Sequence, residues 1–410
     1  MIITVQSGRI PQLTGHETKS VIARDVAPRL AVSIVQAMPV RLHTDDGGFA
    51  WGQLPRESLA TTLVNTMSNW IDRLGGVRRI IAIAKEGLTS ETVHDALIAH
   101  LPVAAAAAVD ERLLIGLSAD DNAVSARALQ RIGHSLKKRL QAAGVRARIV
   151  FPSSGTELSA AAIKHNRLTG KGCEWVIGKD AKGLWLGRTL AAYDPDRDAW
   201  LDRGIPKSDA ASGMLPPKLA RMMVNCAVAA DSNLTVVDPF CGNGRVLLEA
   251  LLLGYAVQGS DNDAVKVAAT EENITWLRSH KSVGTLPTSH VSLADAQSVH
   301  LPAANTWVAV AEPWLGPALR HHPSQSEATA LANDVRAVLY PTVLHILEKA
   351  PLRAVIIAPA WQVGSIKIST EKAILDAAQK TGYHTECIAS VARDDSFVTR
   401  DVILITKDGA

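Results

Sequence analysis

The sequence predicts an α/β protein ending in a doubly wound, Rossmann-like sheet, and three observations in one stretch predict it. Leu234 to Val237 is a short β-branched run, the composition of a buried parallel strand, and it stops at Asp238-Pro239, where a strand cannot continue. Gly242 and Gly244 follow, then an apolar helical pattern over Arg245 to Leu253. Glycine permits a tight turn and a close backbone approach to a ligand. Gly254 stops that helix, Ala256 to Gln258 reads as the next strand, and Asp261 stands at its tip, 19 residues past Gly242. Such a unit, with a glycine-rich first turn and an acid at the second strand tip, places an adenosine ribose over the sheet with its hydroxyls bonded to the carboxylate.

The residue at the first strand tip narrows the nucleotide. A dinucleotide fold holds pyrophosphate at the helix N-terminus. Asp238 lies where those phosphates would sit, and its charge repels an anion. It suits a cation, such as the α-ammonium of S-adenosylmethionine. Asp238-Pro239-Phe240-Cys241-Gly242-Asn243-Gly244 resembles motif I of the S-adenosylmethionine methyltransferases that act on exocyclic amines. That resemblance makes Asp238, Pro239, Phe240, Gly242, Gly244, Asp261 and Asn262 the expected cofactor-binding residues of this unit.

Composition bounds the rest. With 410 residues, 47% hydrophobic and 20% charged, the chain has the make-up of a soluble globular protein with room for two or three domains. Its net charge of +3 hides an asymmetry. Arg112 to Ala230 holds 19 Lys/Arg against 10 Asp/Glu, which leaves −6 for everything else. A basic middle of this kind suggests a polyanion partner. Cys173, Cys226, Cys241 and Cys387 are far apart and lack metal-ligand spacing, so neither a disulfide framework nor a metal site is expected, and a reducing cytoplasm fits. Met1 to Gly8 lacks the basic and apolar regions of a signal peptide, and the alanine-rich run Leu101 to Val109 is shorter than a membrane span.

Residues 1–110 alternate strand and helix patterns. Ile2 to Val5, Trp51 to Leu54 and Val77 to Ile83 read as strands, and His16 to Val26, Ser58 to Thr66 and Glu91 to His100 as helices. The alternation predicts a small α+β domain of ferredoxin-like type. From Arg112 the pattern sharpens: a strand at Leu113 to Leu117, a helix from Asn122 to Ala142 ended by Gly144, and a strand at Val145 to Phe151. A helix begins near Leu158, and Trp175 to Ile177 and Leu184 to Thr189 read as paired strands.

Here a more specific resemblance enters. Leu158-Ser159 through Lys164-His165-Asn166, then Leu186-Gly187-Arg188-Thr189, Tyr193, Arg197-Asp198 and Gly213-Met214-Leu215-Pro216-Pro217-Lys218-Leu219-Ala220-Arg221 follow one another in family order. The segment resembles the THUMP domain and linker of the THUMP-type tRNA guanosine-N2 methyltransferases, which modify guanosine at position ten. Residues 1–110 match only through Pro11-Gln12-Leu13-Thr14 and Leu74-Gly75-Gly76. The expected layout is an N-terminal α+β domain at 1–110, a THUMP-like RNA-binding domain at 111–193, a polar linker at 194–212 and the methyltransferase domain at 213–410. The resemblance implies that the THUMP domain grips the tRNA acceptor end. Lys164, His165, Arg167 and Lys171 are the candidates for phosphate contact, which positions RNA without reading its sequence.

Past the glycine-rich unit, Val265 to Leu277 reads as a helix and Thr288 to Leu293 as a third strand, followed by Asp295-Ala296, where this class holds the adenine amino group. Thr306 to Ala311 is the fourth strand. Glu327 to Leu347 is a helix with a kink or break expected at Pro341, and Ala354 to Ile357 a fifth strand. Cys387 to Arg393 and Val398 to Ile405 complete the seven-stranded methyltransferase sheet as a terminal antiparallel hairpin.

Glu312-Pro313-Trp314-Leu315-Gly316 lies at the C-terminal end of the fourth strand, the end at which ligands bind in such sheets. Amine methyltransferases carry Asp or Asn, Pro, Pro, then Tyr or Phe here. Guanine N2 is a poor nucleophile because its lone pair is delocalised into the ring. Acceptors on its two N–H groups favour a pyramidal nitrogen, and an aromatic face stacks the extruded base. In this chain the acid is one methylene longer, the second proline is absent and the aromatic ring has moved by one. Two readings stay open: Glu312, the Pro313 carbonyl and Trp314 do this work, or the site binds RNA without methylating it. A ribosomal-RNA guanine-N2 methyltransferase is the alternative within the enzymes.

Overall fold

The computed structural model describes residues 2–7, 10–25, 31–33, 41–43, 69–101, 112–120, 123–208, 214–229, 231, 233–317, 319, 321–392 and 397–407. The expected strand at Trp51 to Leu54 and helix at Ser58 to Thr66 lie outside them. Contacts divide the chain into two compact units rather than three modules: residues 1–8, 26–72 and 77–196 form one, and 9–25, 73–76 and 197–410 the other.

The first unit is built on Ile2–Ser7 (β1), Ala31–Ser33 (β2), Arg41–His43 (β3), Val77–Leu88 (β4), Leu113–Ala119 (β5), Ala147–Val150 (β6), Cys173–Asp180 (β7) and Gly183–Ala192 (β8). They make one eight-stranded sheet, β2-β3-β1-β4-β8-β7-β5-β6. The boundary expected at residue 110 is therefore corrected, because β4 pairs along β8 and strands from both sides of it share a sheet. A buried ion pair ties the same strands together: Arg79 of β4 meets Glu174 of β7 at 3.0 Å, and Glu174 also accepts from Ser118 of β5 at 2.5 Å and Thr189 of β8 at 2.6 Å. Burial pushes the Glu174 carboxyl up from its ordinary value, and Arg79 with the two hydroxyls pulls it back. Ser125 caps the amphipathic helix Ala126–Ala142, whose Leu129, Ile132, Leu136 and Leu140 pack into the core under β5 and β7.

The second unit carries Thr235–Asp238 (β9), Ala256–Asp261 (β10), Ser289–Leu293 (β11), Trp307–Ala311 (β12), Arg353–Val363 (β13), Ile366–Ser369 (β14), Tyr383–Val391 (β15) and Val398–Lys407 (β16). The sheet order is β11-β10-β9-β12-β13-β16-β15, with β14 added beside β13. Pairs among β9 to β13 are parallel, and β16 runs antiparallel to both neighbours, which makes the expected terminal hairpin. Strand residues alternate between two cores. Val308, Val310, Val355 and Ile357 face one, with Leu219 and Met223 of Pro217–Val228 (α1) and Leu247 and Leu251 of Arg245–Leu252 (α2). Trp307, Ala309, Ala354 and Ile356 face the other, with Val343 and Ile346 of Gln325–Glu348 and Ile374 of Glu371–Thr381. The helix Gln325–Glu348 continues through Pro341, so the break expected there does not occur.

Two details depart from the expected layout. The stretch read as a linker contains the helix Pro195–Arg203, and Leu201 and Ile205 are buried in the core of the second unit, which makes it part of the fold. The helix Pro11–Asp25 also belongs to this unit. Its Glu17 is fully buried and accepts from the amides of Gly75 and Gly76 at 2.6 and 2.8 Å and from Asn225 of α1 at 2.8 Å. The two N-terminal fragments that resembled the family are the two that build into this unit.

Candidate active site

The tips of β9, β10 and β12 open onto a cleft of about 990 Å³ in the second unit. The turn after β9 is shaped by its sequence. Gly242 has φ +51° and Gly244 φ +84°, conformations that strain any residue with a Cβ. A Cβ on Gly244 would also stand 2.9 Å from Thr270 Cγ2. Thr270 Oγ1 donates to the Gly242 carbonyl at 2.6 Å, and fully buried Asn273 donates to the Asn243 carbonyl at 2.9 Å while bonding both the amide and the carbonyl of Lys207. Both come from Ala264–Ser279 (α3), whose first turn Asp263 caps. The loop is thus held by α3, and Gly242 and Asn243 line the cleft.

Asp238 ends β9 at 2% exposure, and one of its oxygens accepts from the Phe240 amide at 3.0 Å. Burial pushes its carboxyl well above the usual carboxylate range; the Phe240 amide pulls it back, and the charges of Asp261 and Glu312 push it further up. Asp261 accepts from the Gly242 amide at 2.9 Å and from the Asp263 amide at 3.0 Å, so it ties the tips of β9 and β10 together. Asp295 forms a turn by accepting from the Gln297 amide at 2.8 Å, and the adjacent Ala296 is buried.

Just past the end of β12, Glu312 and Pro313 line the same cleft, and Trp314 stands beside them at 49% exposure. Every predicted cofactor residue lines this cleft except Gly244, which caps α2 behind it. The predicted RNA residues Lys164, His165, Arg167 and Lys171 lie together in the first unit, all exposed. Lys164 departs from the expectation of a cation available to phosphate: its ammonium is held by both oxygens of Asp194 at 2.6 and 2.8 Å and by Asp196 at 2.7 Å.

Sequence reasoning missed two arginines. Arg400 of β16, 2% exposed, donates from Nε to Glu312 Oε1 at 2.6 Å. Its signal was available: Arg400-Asp401 is a charged pair directly before the apolar run Val402 to Ile405. Arg245, 4% exposed at the start of α2, lines the cleft and donates to the Leu201 carbonyl at 3.1 Å. Burial lowers its pKa, and Glu249 and Asp202 oppose that.

A family model described as RMKL-like, methyltransferase domain, matches residues 206–306. The matched stretch contains the whole glycine-rich unit of this methyltransferase domain and ends before the Glu312 loop. Over 62 residues the chain is 45% identical to the tRNA (guanine(10)-N2)-dimethyltransferase of Methanothermobacter thermautotrophicus, which covers 15% of this chain and 18% of the relative. The enzyme of the same name from Methanocaldococcus jannaschii is 44% identical over 62 residues, 15% of this chain and 17% of that one. The chain thus spans under a fifth of the length of these relatives. Among solved structures, SMU.472, an inferred methyltransferase complexed with SAH, aligns over 100% of this chain and 98% of its own at 10% identity, with a TM-score of 0.47. Magnesium protoporphyrin IX methyltransferase from Synechocystis, with bound SAH, aligns over 43% of this chain and 74% of its own at 14% identity, with a TM-score of 0.30. Among the described residues no helix is long and apolar enough to cross a membrane, and no group of three or more His, Cys, Asp or Glu side chains is placed to hold a metal ion.

Proposed function

We propose that this protein methylates the exocyclic N2 amine of a guanosine in tRNA, position ten being the candidate nucleotide, with S-adenosylmethionine as donor. One observation carries the reading: Glu312, Pro313 and Trp314 line the same cleft as Asp238, Gly242, Asp261 and Asp295. The short, strong identity to two tRNA (guanine(10)-N2)-dimethyltransferases supports the choice of amine and of RNA.

The residues present fit the donor. Asp238 is a desolvated carboxylate suited to the α-ammonium, Asp261 to the ribose hydroxyls and Asp295 to the adenine amino group, and Gly242 lines the cleft with nothing nearer its Cβ position than the Phe240 carbonyl at 4.0 Å. When bound, S-adenosylmethionine supplies a methyl on a sulfonium centre, passed to nitrogen as the carbon–sulfur bond breaks and the carbon–nitrogen bond forms. Glu312 accepts one N2–H and the Pro313 carbonyl the other, which withdraws the nitrogen lone pair from the ring and aims it. The proton lost from N2 passes to the Glu312 carboxylate or to water. Trp314, half exposed at the rim, stacks the extruded base. The reaction creates little net charge, so positioning outweighs acid–base work. In the first unit the exposed His165, Arg167 and Lys171 contact RNA phosphates, the role a THUMP-like domain would have.

A second reading has one observation in its favour. Glu312 is already paired with Arg400, which suits a drifted site that holds donor and RNA without turnover. Nucleoside mass spectrometry of tRNA from cells with and without the gene separates the two. Loss of N2-methylguanosine species from tRNA supports the enzyme, and unchanged tRNA, with donor binding intact in vitro, supports the binder.

A further inference from the structure

Arg400 lies on a strand paired on both sides, opposite Pro359 of β13 and Val391 of β15, where a cation is costly to bury without an anion beside it. The neighbouring Asp401 does not serve, because successive strand residues point to opposite faces. Asp401 is instead bonded to Lys367 Nζ at 2.7 Å and Ser390 Oγ at 2.6 Å. On the cleft side the guanidinium meets Glu312, whose side chain is 16% exposed. The cleft holds two further carboxylates, Asp238 and Asp261, and the charges of Glu312 and Asp261 both act on the buried Asp238. A glutamate unsupported there would be repelled outward and would sample several rotamers.

We propose that Arg400 is a positioning residue for methyl transfer. By holding Oε1 it fixes the plane of the Glu312 carboxylate and turns it to the amine to be methylated. It also supplies the positive charge that lets Glu312 stay beside Asp238 and Asp261. This rests on the reading of Glu312 as the amine's acceptor, given above. Arg400 touches neither donor nor base in this scheme; it acts through Glu312.

The test compares full-length wild type with Arg400→Gln, Arg400→Lys, Glu312→Gln and the Glu312→Gln/Arg400→Gln double variant. Methyl transfer to transcribed tRNA gives kcat and KM, calorimetry gives donor affinity, and thermal melting reports folding. Arg400→Gln is expected to lower kcat by about 30-fold or more, with tRNA KM and donor Kd within about 3-fold. Arg400→Lys, which keeps the charge but loses the planar fork, is expected to recover part of that loss. The double variant is expected to be no slower than Glu312→Gln alone within about 3-fold, since each removes the same interaction. An Arg400→Gln kcat within about 2-fold of wild type, or losses that multiply in the double variant, overturns the role. If Arg400→Gln does not fold, an unchanged kcat in Arg400→Lys overturns it instead. A wild type that methylates no RNA defeats the functional reading itself, whereas an active wild type indifferent to Arg400 defeats this inference alone.

Discussion

Replacing Gly244 by alanine separates two reasons for a glycine at the start of α2. Its φ of +84° costs any L-residue about 1–2 kcal/mol. The added Cβ would also lie 2.9 Å from Thr270 Cγ2 and 3.2 Å from its hydroxyl. Thr270 must then move, and it donates to the Gly242 carbonyl at 2.6 Å, a bond with a net contribution of about 1 kcal/mol. Crowding a packed contact adds about 1 kcal/mol more. The sum is about 3–4 kcal/mol. Gly254, at the far end of the same helix, is the internal control: its φ is +91°, and its Cβ would meet nothing within 4 Å. Gly254→Ala should therefore cost about 1–2 kcal/mol, from backbone strain alone. Urea denaturation of both full-length variants, with donor titration by calorimetry, measures the difference. Gly244→Ala should be less stable by about 2 kcal/mol and should bind S-adenosylmethionine at least about 10-fold more weakly, while Gly254→Ala keeps wild-type affinity. Equal stabilities within about 0.5 kcal/mol would refute the argument that Thr270 dictates this glycine.

Other expectations follow from the same geometry. Asp238 has a raised folded pKa, so its contribution favours the unliganded fold at low pH and is lost as pH rises from the unfolded value of about 4 through the raised one. Melting temperatures of unliganded wild type should fall across that window relative to Asp238→Asn, and a cationic donor should restore them; parallel profiles would show that the carboxylate is not strained. Trp314→Ala should weaken productive tRNA binding by about 1–3 kcal/mol while Trp314→Phe retains most of it and donor affinity stays constant in both, measured as kcat/KM and by calorimetry. Lys171→Ala should reduce tRNA affinity in low-salt filter binding more than Lys164→Ala, because Asp194 and Asp196 already neutralise Lys164; the reverse order would place RNA on the other side of that cluster. Asn273→Ala should destabilise the C-terminal unit by about 1–3 kcal/mol in urea denaturation, since it removes a fully buried amide and its part-buried bonds to the Lys207 amide and to the Lys207 and Asn243 carbonyls.

The methyltransferase sheet was legible because its information is local. A β-branched strand, a glycine turn, an apolar helix and an acid at fixed spacing sit within 30 residues, and the structure sets Asp238, Gly242 and Asp261 at adjacent strand tips. Glu312 was found for the same reason, standing where a strong apolar strand ends. Arg400 was not, because it reaches Glu312 across 88 positions of chain, and only its charge beside the apolar run Val402 to Ile405 hints at burial. The domain division failed on long-range pairing. Nothing near Val77 or Gly183 announces that β4 and β8 are neighbours, and a polar stretch such as Pro195–Arg203 reads as a tether until the buried Leu201 is seen.

The placement of Glu17 bears on how this protein can be dissected. A fragment beginning at residue 197 would contain every strand of the C-terminal sheet and the entire cleft, yet it would lack the carboxylate that satisfies Asn225 and the buried Leu13 that packs beside α1. Such a truncation should be sticky and poorly soluble when expressed, with an apolar trough laid bare along one flank. Residues 9–25 added in trans would bring Glu17 without its Gly75 and Gly76 donors, so rescue needs residues 73–76 as well.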